Sequence, residues 1–480
     1  MGKNRYITIT AVFFVIIYCL ISLVNHYNFR TYALDLGAYT NALWDYAHIS
    51  WNDSSVFLAM EENLLADHFD LYLILFSPFV YLFGTYTLLV LQILFVVAGG
   101  IGVYRFFVSG EQTRPYAIAA SLYFYMFFGL LSAISFDYHS NTIAAALLPW
   151  LFVFVRRKKL IGATIMFFAI LIAKENVSLW IAFVCLGLFG EYRKDKKWRK
   201  VLLAGFGLSL TYFVIITFVV MPAISFQGSY PHFNYAVLGE NPVDAVLFLI
   251  TNPVQSIQAF FTNHAADPAG DYVKLEFLIL LLVSGLYVLI RKPAYLLMLV
   301  PLFFQKFFHD NISTWGFNDQ YAVEFAPVMA IGIFSSIATL KRNIIKRMLL
   351  FLSLAGCMAA SIRIMDNTVM FTDKSRIRIY KAAHYNRNYD IAKVYAAMEL
   401  IPADAIVSAQ SPFVPHLALR DRIYQFPIIR DAEYIVFSVH ELPYPLSEDE
   451  FVKMTRSLLA SPDWGQVYHA EGFVILQKNP

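Results

Sequence analysis

Three short segments between long apolar runs carry aspartate, and two of them also carry histidine. The segments are Tyr32-Ala33-Leu34-Asp35-Leu36-Gly37, Ala66-Asp67-His68-Phe69-Asp70 and Phe136-Asp137-Tyr138-His139. A carboxylate beside an imidazole can move protons or bind a metal ion. Each segment could equally be a solvated loop end or an ordinary turn, so the pattern names candidate residues rather than a site.

Asp35 stands at the start of a predicted amphipathic helix. Apolar residues at 36, 39, 43, 46 and 47 fall on one face of residues 36–48, which is typical of a helix that lies on a membrane surface. A carboxylate at the N-terminus of a helix complements the helix dipole. Asp35 is therefore either a helix-capping residue or a functional acid.

Lys174 and Glu175 separate two apolar runs of about 14 residues each, 160–173 and 177–190. Helices of that length scarcely cross a bilayer, so the tip between them is predicted to lie below the membrane surface. Ionisable groups at that depth usually face a cavity or each other. The alternatives are an internal Lys174–Glu175 ion pair and an ammonium group that binds a lipid-linked phosphate.

Two further polar stretches follow later apolar runs. Residues 306–311 include His309 and Asp310, but no second histidine stands at metal-ligand spacing from His309. Gln320 and Glu324 are four residues apart on a predicted helix, where they would share a face. Either stretch could line the same cavity as the other polar segments or could simply pack.

The composition indicates what kind of protein must position these residues. Of the 480 residues, 59% are hydrophobic and 15% are charged, against about 25% charged in soluble domains. This excludes a soluble enzyme, a disordered scaffold and a disulfide-rich secreted domain. The net charge is only +3, and nucleic-acid binders are usually more basic, so we expect no nucleic-acid partner.

Apolar runs with the length of membrane-spanning helices divide the chain. They lie at 6–24, 86–108, 115–134, 142–155, 201–224, 274–290, 294–308, 322–340 and 348–365. Basic loop residues mark the cytoplasmic side. All basic clusters fall on one side only if 160–190 is a two-helix hairpin and 71–83 is a re-entrant segment of a long external loop, 25–85. The prediction is an all-α polytopic bundle of about eleven helices in the plasma membrane, with the N-terminus inside.

The C-terminal part of the chain has a different pattern. Beyond residue 365 the charge density rises, and short apolar runs at 405–408, 434–437 and 473–476 are typical of buried strands. Helical spacing occurs at 388–400 and 446–459. We therefore divide the chain into a membrane domain, 1–365, and a small extracytoplasmic α/β domain, 366–480.

The ordered set of polar segments resembles domain-of-unknown-function family 2079, a family of membrane proteins. The resemblance extends over nearly the whole chain. It rests on the three segments above, on Ala173-Lys174-Glu175, and on Val407-Ser408-Ala409-Gln410, Val414-Pro415-His416-Leu417, Arg422-Ile423-Tyr424 and Phe426-Pro427. That family is similar to the C-type glycosyltransferases, which are multi-span enzymes with a polyprenyl-phosphate sugar donor.

The resemblance implies a glycosyltransferase-like protein that moves a sugar to an acceptor (protein, lipid or glycan) on the outer face. The catalytic acid of such enzymes follows the first transmembrane helix, which is the place of Asp35. Where the resemblance suggests a His-Tyr pair, this chain has Gln320-Tyr321. Lys174 and Arg30 are the predicted ligands of the donor phosphate.

The remaining candidates are predicted to line the site and bind substrate. They are Asp67, His68, Asp137, His139, Glu175, His309, Asp310 and Gln320. A divalent cation, Mg²⁺ or Mn²⁺, is an optional cofactor, for which Asp35 and Asp67 are the candidate ligands.

The rival hypothesis is a protein without catalytic activity, either an envelope assembly factor or a transporter of lipid-linked or small substrates. A transporter should show internal symmetry and helices interrupted in matching halves. The sequence has one interrupted hairpin without a counterpart, which favours the enzyme.

Overall fold

The apolar runs of the sequence form helices, because a backbone in lipid must satisfy its hydrogen bonds within one segment. The computed structural model describes residues 2–53, 56, 63–370 and 373–479. These residues are mostly helical, with one small sheet near the C-terminus.

The helices of the first half of the chain enclose the polar segments. They are α1 (Gly2–Tyr27), α2 (Ala38–Ala47), α3 (Leu64–Asp67), α4 (Tyr72–Phe76), α5 (Val80–Phe83), α6 (Thr87–Val108), α7 (Ala117–Met126), α8 (Phe128–Ser135), α9 (Ser140–Arg156), α10 (Leu160–Leu171) and α11 (Glu175–Glu191). Helix α6 packs closely on α9: a Cβ atom on Gly99 would lie 2.8 Å from the carbonyl oxygen of Ala146. Small residues allow such approaches between helices in membranes.

The second half of the chain adds further helices to the bundle, and its C-terminal residues form short helices and a sheet. Its helices are α12 (Lys196–Ile215), α13 (Met221–Ile224), α14 (Pro242–Thr251), α15 (Pro253–Phe261), α16 (Val273–Val283), α17 (Pro293–Phe307), α18 (Phe325–Ala338), α19 (Asn343–Ile364), α20 (Ala382–Tyr385), α21 (Ile391–Met398), α22 (Val414–Leu417) and α23 (Glu448–Ala460). Helices α14 and α15 lie in a stretch where no helix is predicted from the sequence.

Among the described residues, four helical segments are long and apolar enough to cross a membrane. They are Arg5–Tyr27, Tyr72–Val108, Lys196–Ile224 and Asn343–Ile364. A fifth would be the pair α7 and α8, which the sequence predicts as one run but which bends by 42°. The bend occurs because Phe127 is extended, with φ −60° and ψ 128°. The count of about eleven spanning helices stays a prediction.

The segment predicted to be re-entrant consists of short helical pieces. Helices α4 and α5 are joined by a 3₁₀ turn, Ser77–Phe79, and α5 ends at Gly84, where φ is +55°. An L-residue with a side chain rarely adopts that conformation. The chain then continues into the long helix α6, and the depth of this segment in a bilayer stays a prediction.

Helix α2 forms close to the predicted place but does not lie free on a membrane surface. Its residues from Ala38 to Leu43 are all buried. The amide of Asn41 donates to the carbonyl oxygens of Ala418 and Arg420, 3.2 and 2.8 Å away. The prediction of a surface helix is therefore wrong, because the C-terminal residues cover the face that the pattern left polar.

The C-terminal residues contain a five-stranded sheet in the order β2-β1-β3-β5-β4. Its strands are β1 (Val407–Ala409), β2 (Ile423–Gln425), β3 (Tyr434–Ser438), β4 (Trp464–Ala470) and β5 (Phe473–Lys478). β1 pairs in parallel with β2 and β3, whereas β5 is antiparallel to β3 and β4. Strands β2 and β4 lie outside the predicted strands. The division at residue 365 stays a prediction.

Candidate functional site

Asp35 projects from a tight turn that the C-terminal residues hold in place. The turn is a single π-helical stretch, Ala33–Gly37, that runs into α2. The backbone N–H of Ala33 donates to Oγ of Ser411 at 3.1 Å. Gly37 has no room for a side chain, since a Cβ atom there would lie 2.8 Å from Val414.

The carboxylate of Asp35 is free to meet a substrate. It makes no capping hydrogen bond to α2, so the helix-capping interpretation is not supported. About a quarter of its side chain is exposed, 28%. Burial and the nearby Asp137 raise the pKa of Asp35 well above its ordinary value, against the opposing charge of Lys174. A raised carboxyl pKa in a cleft is typical of a general base.

Asp137 lies beneath the Asp35 turn and is fully buried. Its Oδ2 accepts hydrogen bonds from the backbone N–H groups of Tyr32 and Leu36, at 2.9 and 3.3 Å. These two groups bracket Asp35. Burial raises the pKa of Asp137 to about 6, and Arg376 together with the two N–H groups opposes that rise.

His139 lies beside Asp35. Its Nε2 is 3.9 Å from Oδ1 of Asp35, which is too long for a hydrogen bond. Its ring stacks on Phe136 with centroids 5.4 Å apart, and its backbone N–H donates to Oε1 of Gln92 at 3.0 Å. Burial and the charge of Lys174 lower the pKa of His139 well below 6.5, so the imidazole is neutral at pH 7.

A second cluster joins Asp67 and His68 to residues far away in the sequence. Oδ1 of Asp67 lies 3.1 Å from Nε2 of His232, and Oδ2 lies 3.8 Å from Nε2 of His68. Nδ1 of His68 lies 3.4 Å from Oε1 of Glu175, to which the Tyr230 hydroxyl also donates at 3.4 Å. The two imidazole rings stack 4.3 Å apart.

The charge of Lys174 acts on both clusters. Among the described residues its ammonium group has no hydrogen bond and no ion pair, although its charge acts on Asp35, Asp67 and His139. Glu175 does not pair with it, since that carboxylate contacts His68 and accepts the N–H of Phe69 at 3.1 Å. The predicted alternative of an internal Lys174–Glu175 pair is therefore not supported.

One group of side chains could hold a metal ion. Ligand atoms of Asp67, His68 and His232 all lie within 4.8 Å of one another. Asp35, the other candidate ligand, is not part of this group. Two imidazoles with one carboxylate suit Mn²⁺, Fe²⁺ or Zn²⁺ better than Mg²⁺, which prefers oxygen ligands.

Arg30 is not brought into either cluster. Its guanidinium donates to the carbonyl oxygens of His384, Ala383 and Asn386 at 2.5, 2.7 and 3.1 Å, and the side chain is buried. This places the predicted phosphate ligand at a contact between the end of α1 and the C-terminal residues.

His309 and Asp310 also lie apart from Asp35. Nδ1 of His309 accepts the N–H of Asn311 at 2.9 Å, and the carboxylate of Asp310 accepts the N–H of Ala236 at 3.0 Å. Both contacts shape outer loops. The structure gives these two residues a clear part in packing, and a substrate-binding role for them stays a prediction.

Gln320 and Glu324 lie in turns before α18, so the prediction that they share a helix face is wrong. The backbone breaks just before them at Asp319, whose φ of +53° does not fit a helix. The buried ammonium of Lys306 donates to the carbonyl oxygens of residues 314, 316 and 321 at 2.6, 2.5 and 2.7 Å and so holds these turns. Oε1 of Glu324 accepts from Asn141 at 2.9 Å, which connects this turn to the His139 loop.

Several residues of the site carry no signal in the sequence. They are Gln92, Tyr230, His232, Asp319 and Arg376. His232 comes from a loop more than 160 residues after Asp67, and Arg376 comes from the C-terminal residues. Only the tertiary fold brings them close, since neither spacing nor a local motif marks them.

The structure resembles that of ArnT, a C-type glycosyltransferase from Cupriavidus metallidurans solved with bound undecaprenyl phosphate. The TM-score is 0.53 at 11% sequence identity, over 99% of this chain and 98% of the other. At that identity the likeness concerns the fold. No curated protein matches the chain.

The sequence profile of the family described as "Predicted membrane protein (DUF2079)" matches residues 25–472. With apolar helices and the fold seen in ArnT, this makes the chain an integral membrane protein. The predicted resemblance is thus confirmed, and the protein belongs to domain-of-unknown-function family 2079.

Proposed function

We propose that the protein is a membrane glycosyltransferase that takes a sugar from a polyprenyl-phosphate donor. The observation that carries the proposal is the pairing of an accessible carboxylate, Asp35, with an ammonium, Lys174, that has no partner among the described residues. A transferase of this type needs a base for the acceptor and a cation for the phosphate.

Asp35 acts as the general base. The carboxylate takes the proton of an acceptor hydroxyl while that oxygen attacks the anomeric carbon of the donor. The bond between the anomeric carbon and the phosphate oxygen breaks, its electron pair leaves with the polyprenyl phosphate, and the configuration is inverted. The raised pKa of Asp35 favours this step, because it brings the base closer to neutral pH.

Lys174 receives the leaving phosphate. In a site with little water, a fixed positive charge stabilises the charge that develops on the leaving group. Neutral His139, next to Asp35, orients the sugar or acceptor through Nε2, which has no hydrogen-bond partner among the described residues. Arg30 donates to three carbonyl oxygens through Nη1 and Nη2, so we leave it out of the mechanism.

Asp67, His68 and His232 form the better place for a divalent cation. Glu175 contacts His68 from the other side, as carboxylates commonly do behind metal-bound histidines. A cation there would add positive charge near the leaving phosphate. The chemistry of these ligands favours Mn²⁺ over the Mg²⁺ also expected from sequence.

The orientation that fits this function has the N-terminus inside, with the polar clusters and the C-terminal residues on the outer face. The acidic loops and the basic loops then lie on opposite sides of the membrane. The acceptor is a protein, lipid or glycan that reaches the outer face.

The test is release of polyprenyl phosphate by the purified full-length protein, supplied with a panel of lipid-linked sugars in vesicles. We expect Asp35→Asn to lower the rate by about 10²–10⁴-fold, the usual effect of losing a general base. The matched control is Asp366→Asn, whose side chain is 73% exposed in the same outer region.

Normal turnover by Asp35→Asn would contradict the assignment of the base. An absence of turnover by the wild-type protein across the panel would contradict the enzyme, and would favour a transporter or an assembly factor. Transport of the same lipids between vesicle leaflets would then be the next measurement.

A further inference from the structure

Asp137 is held by one of its two carboxylate oxygens and approached by a cation at the other. Oδ2 accepts the N–H groups of Tyr32 and Leu36, at both ends of the Asp35 turn. Oδ1 accepts no hydrogen bond from the described residues. It faces Nη2 of Arg376 at 3.8 Å.

Arg376 comes from the C-terminal part of the chain, from a 3₁₀ turn, Lys374–Arg376. Its guanidinium carbon lies 4.7 Å from the centre of the Phe136 ring and 5.4 Å from that of Tyr32. Its own carbonyl oxygen accepts the amide of Asn25 at 2.8 Å. The side chain is thus fixed between the Asp35 turn and the Asp137 loop, at the end of α1.

The guanidinium has unused hydrogen-bonding capacity. Its Nε and Nη2 are buried and have no hydrogen-bond partner among the described residues. Leaving such donors buried is costly unless they serve a charge. Among the described residues, Asp137 is the carboxylate in direct ionic contact with this guanidinium, at 3.8 Å, and the charge of Arg376 also acts on Asp319 and Asp373.

We propose that Arg376 is a positioning residue, through which the C-terminal part of the chain keeps Asp137 ionised and thereby holds the Asp35 turn. An ionised carboxylate accepts the two N–H groups strongly, whereas a neutral carboxyl accepts them weakly. Loss of Arg376 leaves a buried carboxylate without its cation, and that group then takes up a proton. The turn loosens without any change in Asp35 itself.

The charges around Asp137 are consistent with this role. Arg376 and the N–H groups of Tyr32 and Leu36 lower its pKa, while burial and Asp319, from the turn before α18, raise it. Asp35 faces it from the turn, and neutral His139 lies two residues along its own loop. Arg376 is the cation that lowers the pKa of Asp137, so without it that pKa moves upward from about 6.

A single-cysteine reporter measures the order of the turn without any substrate. Leu34 is 40% exposed and adjoins Asp35, and Leu400 is 51% exposed on the C-terminal residues. Leu34→Cys and Leu400→Cys are each placed in a background where the native cysteines Cys19, Cys185 and Cys357 are alanine. The ratio of their labelling rates with a membrane-impermeant maleimide cancels the effect of pH on the thiol.

With Arg376→Gln we expect this ratio to rise on the order of tenfold at pH 7, because two hydrogen bonds that close the turn are weakened. In the parent the ratio should rise only as pH falls through about 6, the pKa of Asp137. In Arg376→Gln the midpoint should lie at least about one pH unit higher. Arg376→Lys keeps the charge and should restore the midpoint in part.

Three further variants keep the inference falsifiable. Asp137→Asn should label fast at every pH, and adding Arg376→Gln to it should change nothing more, since both residues act through one carboxylate. The matched control Arg378→Gln should label like the parent, because Arg378 is 4.0 Å from the exposed Asp366. An unchanged ratio and midpoint in Arg376→Gln, in protein with the melting temperature of the parent, would overturn the inference.

The catalytic consequence rests on the proposed function, but the labelling does not. If transfer is found, Arg376→Gln should lower kcat at pH 7 and recover it at higher pH, as Asp137 ionises again. If the labelling shifts as expected while no lipid-linked sugar is consumed, the inference stands and the proposed function fails. Shifted activity without shifted labelling would place Arg376 on the substrate and overturn its positioning role.

Discussion

Two regions of this molecule treat a basic side chain in opposite ways. Near Asp35, Lys174 has no partner among the described residues, although it lies amid acids and imidazoles. At the C-terminal end of α17, Lys306 donates to three backbone carbonyl oxygens at 2.5–2.7 Å and is almost completely buried. In the sequence, both are basic residues beside or among acidic ones, in segments that interrupt apolar runs.

Lys274 and Arg30 also donate to backbone carbonyl oxygens, as Lys306 does. Lys274 donates to the carbonyl oxygens of Ala259 and Thr262 at 2.7 and 2.8 Å, and Arg30 donates to three carbonyls. These cations therefore make hydrogen bonds that stabilise the fold. The difference teaches that a buried base marks a ligand site only where its own hydrogen-bonding capacity is left over.

The most direct test of this difference is to neutralise Lys174. We expect Lys174→Met to lower the rate of polyprenyl phosphate release by about 10²–10³-fold, the usual effect of removing one charge that stabilises a leaving group. Its melting temperature should stay close to that of the parent, because Lys174 makes no hydrogen bond or ion pair with the described residues. The control is Lys381→Met, an exposed lysine of the C-terminal residues.

Neutralising Lys306, whose ammonium is fully hydrogen-bonded, should lower stability and leave turnover almost unchanged. Lys306→Met leaves buried carbonyl oxygens without donors, so we expect a loss of about 3 kcal/mol in stability. Thermal unfolding in detergent checks this, and turnover per folded molecule should stay within about twofold. Large loss of turnover in well-folded Lys306→Met would show that the two regions do not differ as described.

Ligand binding sharpens the comparison without any turnover. Undecaprenyl phosphate at about 100 times its Kd should stabilise the parent by about 2.7 kcal/mol and raise its melting temperature. The same lipid should leave Lys174→Met almost unshifted, while Lys306→Met, though less stable, should gain as much as the parent. Undecaprenol, which lacks the phosphate, is the control ligand.

The smallest effect concerns pH. The base must be deprotonated, and the pKa of Asp35 is raised, so turnover should rise with pH and be lost as pH falls through that raised value. Lys174 opposes the rise, so the residual activity of Lys174→Met should need a higher pH than that of Lys381→Met. Coincident pH profiles for the two variants would contradict the electrostatic contact.

Local pattern predicted most of the helices and named several residues of the candidate site. Long apolar runs form helices because a backbone in lipid must make its hydrogen bonds within its own segment. The segments around Asp35, Asp67, Asp137 and Lys174 came together as expected, since each interrupts such a run at one end of the bundle. The predicted strands also formed, although β2 and β4 lacked a clear apolar run.

The failures have one cause, which is contact with residues distant in the sequence. Helix α2 is covered by residues after 405, so its polar face is buried and not exposed to solvent. Gln320 and Glu324 lie in turns, where the buried ammonium of Lys306 donates to the carbonyl oxygens of residues 316 and 321. Arg30 was predicted to bind the donor phosphate, but in the structure its guanidinium donates to carbonyl oxygens near residue 384.

The sequence by itself determined that this is a membrane protein with its acids and histidines between apolar helices, because composition and hydrophobic period are local properties. It also named Asp35 and Lys174. Tertiary structure alone decided which bases are free, which histidine joins Asp67, and that Arg376 faces Asp137. Those outcomes depend on which donors and acceptors stay unused after packing. This can be known only when the contacts between distant segments are known.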